Sequence, residues 1–340
     1  MTSLEDRDAV IRLIGSYMVS DAIRAAGHLG VFAHLDQASG ATLDDLAASI
    51  SVPAAQLERV LNLLQYAGLI EEQENTLHNT RLGAVLVPGK PGSLGAFAEN
   101  FTSPLFQRAW DHLEVSVLTG EPGFDREYHQ SIYDYLGHDE AASKLFNQAM
   151  QEEAAAAAQS ATTLIDLEKD ETVVDIGGGD GTFLSSLLQT APSVTGIVFD
   201  SPAGVAAADH VIASVGLTDR CISIGGDFFA TIPPNATTYI IKSVLQDWDD
   251  ERALALLSKC KEHIPATARL IIIGNFLPES YDAAAAVGYL TDVCMLVISG
   301  GRERTLADLK VLLDQAGFDT GDMRHKHLGP LTAVELGPRS

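Results

Sequence analysis

The sequence predicts an α/β protein: an open, mostly parallel sheet with helices on both faces, carried behind a smaller helical module. Three observations predict it. A β-branched run, Val173-Val174-Asp175-Ile176, breaks into Gly177-Gly178-Gly179-Asp180-Gly181 and continues as Thr182-Phe183-Leu184-Ser185-Ser186-Leu187-Leu188, the order of buried strand, tight turn and helix. From Thr172 onward, short apolar strands alternate regularly with helical segments, as a parallel sheet requires. Ahead of them, the first eighty residues read as helix, helix and hairpin.

Composition bounds the function. With 340 residues, 46% of them apolar and 20% charged, the chain has room for two domains and a large core. No apolar run reaches transmembrane length and no secretory signal precedes the first helix, which predicts a cytoplasmic protein with no membrane partner. Cys221, Cys260 and Cys294 are scattered, lack metal-ligand spacing and are expected to be packing residues in a reducing compartment; no metal is expected. The 46 acids face only 22 bases, a formal net charge of −24. A phosphate backbone is bound by lysine and arginine, so nucleic acid is a poor partner.

In chain order, apolar residues at helical spacing predict a helix over 8–26, ended by Gly27-His28-Leu29-Gly30, and a short helix follows at 31–35. Thr42 caps a helix to residue 50, with Asp45 completing an acidic version of the capping box. Pro53 opens a helix to residue 67, and residues 68–79 form a hairpin turning at Asn75. This is a winged-helix arrangement without a basic recognition helix, so it reads as a dimerisation or lid module, and a homodimer is expected. Residues 95–166 are helical and rich in aromatic and histidine side chains. They form a candidate wall for an aromatic substrate. Three stretches are expected: a winged-helix module over 1–94, a helical linker and substrate section over 95–166, and a nucleotide domain over 167–340.

Within the last stretch, strands are expected at 172–176, 194–199, 221–225, 238–242 and 269–273, with 319–328 and 331–336 as a closing antiparallel pair. The glycine turn after the first strand lets backbone approach a ligand closely. Asp200, 25 residues after Asp175, stands where an acid accepts ribose hydroxyls of a dinucleotide or adenosyl ligand. The alternative for Asp200 is a helix cap. Asp227 beside Phe228 suits an adenine, with hydrogen bonds on one side and stacking on the other.

These residues resemble the class I S-adenosylmethionine-dependent small-molecule O-methyltransferases of the caffeate and hydroxyindole type, including bacterial natural-product tailoring enzymes. The carriers are Asp175 to Gly181, Phe199-Asp200-Ser201-Pro202, Gly226-Asp227-Phe228-Phe229, Leu245-Gln246-Asp247-Trp248-Asp249-Asp250-Glu251 and Gly300-Gly301-Arg302-Glu303-Arg304-Thr305. The resemblance implies a Rossmann-like methyltransferase fold behind an all-α winged-helix dimerisation domain. It implies S-adenosyl-L-methionine as cofactor and S-adenosyl-L-homocysteine as product. Carried over by position, it puts Asp175, Gly177 and Gly179 along the methionine part, Asp200 on the ribose and Asp227 and Phe228 on the adenine. Lys242 falls near the cofactor's carboxylate and Trp248 against the nucleoside. The acceptor pocket falls to Met18, Phe146, Met150, Tyr289, Asp292 and Met295, a set that suits a flat hydrophobic natural-product intermediate.

One departure from the family pattern bears on chemistry. Where the family has Leu-His-Asp-Trp, with histidine removing the acceptor's proton, this sequence has Leu245-Gln246-Asp247-Trp248. An amide can hydrogen-bond but cannot take up a proton near neutral pH. The glutamate that orients the histidine is replaced by Gly274, leaving Glu303 alone of the three. Gln246, Asp247 and Glu303 are therefore the candidate catalytic residues. Three chemistries remain open: methyl transfer to an acceptor that needs no base, methyl transfer with another base (Asp247, Asp292, His112, His129 or His138), or a non-methylating cyclisation or hydroxylation beside a fixed cation. A non-catalytic binding protein is a further alternative. A nicotinamide-dependent dehydrogenase fits less well, because the glycine turn lacks the last step of the Gly-x-Gly-x-x-Gly spacing.

Overall fold

The computed structural model describes residues 4–328 and 331–337, excepting the side chains of 156–161. The chain divides into two compact units, Met1–Gln107 with Gln148–Glu153, and Arg108–Asn147 with Ala154–Ser340.

The first unit contains α1 (Leu4–Ile14), α2 (Ser16–His28), α3 (Val31–Gln37), α4 (Leu43–Ser49), α5 (Ala54–Tyr66), the antiparallel strands β1 (Ile70–Gln73) and β2 (Thr76–Asn79), and α6 (Gly95–Phe101). The single helix expected over 8–26 is two helices, broken at Gly15, a residue whose intrinsic helix propensity is poor. Thr42 caps α4 as expected, its hydroxyl oxygen accepting from the Asp45 backbone N–H. The box is not reciprocal, because the Asp45 carboxylate takes the Thr42 hydroxyl instead of its backbone amide. Glu74 and Asn75 both adopt positive φ, which closes the two-residue hairpin. The core gathers Phe32 and Leu35 of α3, Leu46 of α4, Leu61 and Leu64 of α5, and Ile70. By contrast, α1 buries none of its residues.

In sequence, α7 (Pro104–Trp110), α8 (Leu113–Thr119), α9 (Gly123–Tyr128), α10 (Ile132–His138) and α11 (Glu140–Ala161) come next. The second unit then builds a seven-stranded sheet from β3 (Thr172–Ile176), β4 (Thr195–Asp200), β5 (Cys221–Gly225), β6 (Thr238–Lys242), β7 (Arg269–Asn275), β8 (Arg324–Leu328) and β9 (Leu331–Leu336). Their order is β5-β4-β3-β6-β7-β9-β8. The first five are parallel, while β9 runs antiparallel to β7 and to β8. The last strand pair is shorter than expected. Asp319 Oδ1 accepts the Gly321 N–H and Thr320 O accepts the Met323 N–H, so a turn occupies the start of the 319–328 stretch.

Helices α12 (Thr182–Thr190), α13 (Ala208–Ser214), α14 (Asp250–His263), α15 (Ala286–Ile298) and α16 (Leu306–Gln315) complete the unit. Alternation along each strand sends successive side chains to opposite faces. Val174, Ile176 and Ile241 join Leu256, Leu257, Leu309 and Leu313 on one face. Val173, Val198 and Ile240 join Leu184, Leu187 and Leu188 on the other. With both faces covered, the central strands read as continuous apolar runs. Chain direction across the sheet reverses between β3 and β6, and ligands of such sheets bind at the carboxyl ends beside that reversal.

Candidate active site

The glycine turn after β3 is built by constraints that only glycine satisfies. Gly177 and Gly179 have φ of +74° and +55°, and a Cβ on Gly177 would lie 2.4 Å from Val244 Cγ2. The turn is tied to the next strand: Phe199 O accepts from Gly177 N at 2.7 Å, and Asp200 Oδ2 accepts from Gly179 N at 2.9 Å. Asp200 Oδ1 accepts from Ser201 N. Its carboxylate therefore joins two strand ends instead of capping a helix. Burial raises the Asp200 pKa against the opposing backbone hydrogen bonds.

Two buried polar atoms at this sheet edge lack partners: Asp175 Oδ2 and Trp248 Nε1. Asp175 is 1% exposed, and burial, with Asp200 and Asp180 adding to it and Lys242 opposing, pushes its pKa up to about 7. Such orphaned groups call for a partner that the chain does not supply. The space above the turn is open, since a Cβ on Gly179 would meet nothing within 4 Å. The acceptor on Asp175, the donor on Trp248 and this open cradle fit an adenosyl ligand bearing an amino acid.

Around Trp248 stands an aromatic wall. Its ring lies 5.3 Å from Tyr133 at 29°, and 5.0 Å from Phe229 at 86°. The Arg252 guanidinium sits 4.4 Å from the Trp248 and Phe229 rings alike. Phe228 touches the same group at 6.2 Å from Trp248. Asp227 is exposed and closes a local turn, its Oδ1 accepting from Phe229 N. Lys242 Nζ lies 5.8 Å from the Phe183 ring and bears on Asp175.

On the other side, Gln246, Gly274 and Glu303 line one cavity, together with Asn275, Phe276 and Arg302. Residues 28 and 29 positions apart along the chain are thus brought to a single hollow. Gly274 leaves room in it, the nearest atom to a built Cβ being Phe276 Cε2 at 3.8 Å. Gln246 and Asp247 lie on a 3-10 turn, Leu245–Asp247, that is clamped from the 299–305 segment. Arg304, 4% exposed, donates to Leu245 O at 2.7 Å, Trp248 O at 2.9 Å and Asp250 Oδ1 at 2.8 Å. Gly301 must be glycine for this clamp, because a Cβ there would come within 2.0 Å of Gln246 O.

The acids of this side are strongly perturbed. Asp247 is pushed up to about 7 by burial, with Glu303 and Asp200 adding to it and a hydrogen bond from Tyr133 opposing. Glu303 is also pushed up to about 7 by burial, with a Thr291 hydrogen bond opposing and Asp292 adding. Asp292 Oδ1 accepts the Glu303 backbone N–H at 2.9 Å. Tyr289, Asp292 and Met295 recur at threes along α15 and are all partly buried. Cys294 is not in the core with Cys221 and Cys260. It lies partly exposed on α15, its thiol pushed up to about 12 by burial and by Asp247.

Phe146 belongs to the second unit, whereas Met18, half exposed on α2, and Met150 belong to the first. Two of the three histidines proposed as replacement bases have other engagements, and the third is exposed. His112 pairs with Glu127 at 3.0 Å, His129 is exposed where α9 ends, and His138 is exposed with its ring nitrogen 2.6 Å from Asp134 O. Sequence reasoning assigned no role to Tyr133, Thr291 or Arg252, and Arg304 entered only as a member of the Gly300 to Thr305 motif. Tyr133 carried only a weak signal, as one member of the aromatic stretch, because its partners Asp247 and Trp248 lie more than a hundred residues away.

The sequence pattern of the O-methyltransferase domain matches residues 110–319, and that of the O-methyltransferase dimerisation domain matches residues 11–89. The chain belongs to the O-methyltransferase family. It is 34% identical to the O-demethylpuromycin-O-methyltransferase of Streptomyces alboniger over 98% of this chain and 89% of that protein. It is 29% identical to the aclacinomycin 10-hydroxylase RdmB of Streptomyces purpurascens, over 92% of this chain and 85% of that protein. The structure of the mitomycin 7-O-methyltransferase MmcR superposes with a TM-score of 0.88 at 31% identity, covering 98% of each chain. Human N-acetylserotonin methyltransferase in complex with SAM superposes with a TM-score of 0.87 at 26% identity, covering all of each chain. Among the described residues of this family member, no helix is long and apolar enough to cross a membrane.

Proposed function

We propose that this member of the O-methyltransferase family uses S-adenosyl-L-methionine to methylate a small hydrophobic or aromatic natural-product intermediate, without a histidine base. The observation that carries this reading is the cavity shared by Gln246, Gly274 and Glu303. The cofactor cradle keeps its orphaned polar atoms, while an amide and a bare backbone stand where the family's base and its orienter belong.

When bound, the cofactor supplies an electrophilic methyl group on a cationic sulfur. The chain's own residues do the rest. Gly177 and Gly179 admit close backbone approach, Asp175 and Lys242 serve the amino acid end, and Asp200 serves the ribose. Asp227, Phe228 and Trp248 hold the adenine. On the acceptor side, Gln246 orients an oxygen by hydrogen bonds, and Asp247 and Glu303 are the groups able to hold its proton at neutral pH. Tyr289, Asp292 and Met295 face the acceptor from α15. Positioning supplies much of the rate when the acceptor is acidic enough to ionise readily.

The enzyme acts as a homodimer formed through residues 11–89. The exposed apolar residues at the end of α1, with Ile11 62%, Leu13 73% and Ile14 68% exposed, support this. Light scattering at a mass of two chains is the expected result.

A second reading, in which no methyl moves and the bound cofactor acts as a fixed cation, is favoured by the 29% identity to a hydroxylase. Incubation with S-adenosylmethionine and a panel of hydroxylated polycyclic aromatics separates the two. One S-adenosylhomocysteine per product supports methyl transfer. Product formed with the cofactor unchanged supports the second reading, and cofactor binding with no product from any acceptor supports a binding protein.

A further inference from the structure

The hollow lined by Gln246, Gly274 and Glu303 is rich in hydrogen-bond acceptors and holds no uncommitted cation. Alternation along β7 and into Phe276 puts Ile272, Gly274 and Phe276 on one face, and all three line the hollow. The missing Gly274 side chain therefore opens the space between its neighbours, and a Cβ there would find nothing nearer than Phe276 Cε2 at 3.8 Å. Among the described residues no group hydrogen-bonds the Gln246 side-chain amide, whose oxygen is free to accept. Glu303 is 5% exposed. Asp292 Oδ1 accepts its backbone N–H at 2.9 Å, which keeps a second carboxylate beside it. The two arginines that line the hollow are turned to other partners. Arg304 donates to Leu245 O, Trp248 O and Asp250, and Arg302 pairs with Asp250 at 3.3 Å and Asp308 at 3.6 Å. Neither guanidinium is left to receive an oxyanion. A phenol would have to lose its proton here and then stand as an anion beside carboxylates. An aromatic amine meets the same groups without that conflict. It is uncharged near neutral pH, because its lone pair is shared with the ring, and it attacks without first losing a proton. Its two hydrogens match two acceptors, which hold the ring plane and leave the lone pair standing out of it. The positive charge it gains is drawn to Glu303 and Asp292, and Glu303, pushed up to about 7 by burial with Asp292 adding, ionises more readily as that charge forms.

We propose that this site also methylates nitrogen, taking an uncharged aromatic amine whose two N–H groups are received by the Gln246 amide oxygen and the Glu303 carboxylate. The inference rests on the methyl-transfer reading above. The nitrogen lone pair forms the new bond to the methyl carbon as that carbon's bond to sulfur breaks, and the positive charge passes from sulfur to nitrogen. One N–H bond of the resulting ammonium then breaks, the electron pair staying on nitrogen. The Glu303 carboxylate takes the proton and returns it to solvent, leaving a neutral N-methylamine. Gln246 acts only as an acceptor of a hydrogen bond, which an amide does well. The exchange of an imidazole for an amide, costly for a hydroxyl acceptor, is without penalty for this one.

The test compares aminoanthraquinones with hydroxyanthraquinones matched in position, using the full chain at about pH 8, above the Glu303 value of about 7. With S-adenosylmethionine, kcat/KM for the amine is expected to exceed that for the phenol about tenfold, the worth of one further hydrogen bond to a charged group. Nuclear magnetic resonance of the product should place the new methyl on nitrogen. With S-adenosylhomocysteine bound, so that no reaction runs, calorimetry should show the amine held more tightly than the phenol by a similar factor. Glu303→Gln should erase both preferences. Gln246→Leu, which keeps the bulk of the side chain and removes the amide oxygen, should weaken amine binding in the same calorimetric assay. Gln246→His combined with Gly274→Glu should turn the preference toward the phenol. Equal or better use of the phenol by the unaltered chain overturns the proposal and leaves the methyl-transfer reading intact, as does a preference for the amine that survives both Glu303→Gln and Gln246→Leu. Methylated product from neither class overturns both.

Discussion

The two sides of the site in the second unit are built differently. The side proposed for the cofactor is assembled from short segments at strand ends: the glycine turn after β3, Asp200 at the end of β4, Asp227 and Phe228 after β5, and Lys242 at the end of β6. Each sits where the backbone must turn out of the sheet, so local geometry fixes the residue. The side proposed for the acceptor draws Gln246, Gly274, Asp292 and Glu303 from four separate segments. None of them is required by its own local backbone. Gln246 and Gly274 are therefore positions where a change of side chain is expected to alter the proposed chemistry more than the fold. That freedom is what lets one family vary its acceptors and its chemistry over a constant cradle.

The largest effect expected from breaking this contrast lies at the clamp between the sides. Arg304→Ala removes the buried guanidinium that donates to Leu245 O, Trp248 O and Asp250 Oδ1, and losing these charge-assisted hydrogen bonds should make the protein about 3 kcal/mol less stable. Urea unfolding measures this, and a loss under 1 kcal/mol would show that the turn is held by other contacts. Next comes the cradle: Asp200→Asn should weaken S-adenosylmethionine binding about tenfold in calorimetry with little change in fold, the expected loss from one charge-assisted hydrogen bond. Equal affinity would remove Asp200 from the ribose.

A smaller effect sharpens the comparison on the acceptor side. Gln246→His alone should raise turnover of the acceptor found in the product assay by less than about threefold, because nothing orients the ring. Adding Gly274→Glu, for which the nearest atom leaves 3.8 Å at Cβ, should give the larger gain. A large gain from the single change would contradict the role assigned to Gly274. The smallest effect concerns pH. Asp175, Asp247 and Glu303 are raised in the folded protein from 3.8, 3.8 and 4.5 to about 7. The folded state therefore binds more protons than the unfolded chain between these values, and stability falls as pH rises through about 4 to 7. The ligand-free protein should melt a few degrees higher at pH 5.5 than at pH 7.5, and saturating S-adenosylmethionine should narrow that gap.

The features legible in the residues alone are those governed by local rules. Alternating apolar strands and helices predicted the parallel sheet, with β5 and β6 expected and found at 221–225 and 238–242. Gly15 was misread, because apolar spacing ran on through a residue that weakens the helix backbone. Only the tertiary structure decided the acceptor side. Gln246, Gly274 and Glu303 meet because β6, β7 and the segment after α15 end at one edge of the sheet, and Tyr133 reaches Asp247 from a helix far upstream. Burial, which raises Asp247 and Glu303 alike, is a property of everything packed around a group, and no window of neighbouring residues contains it.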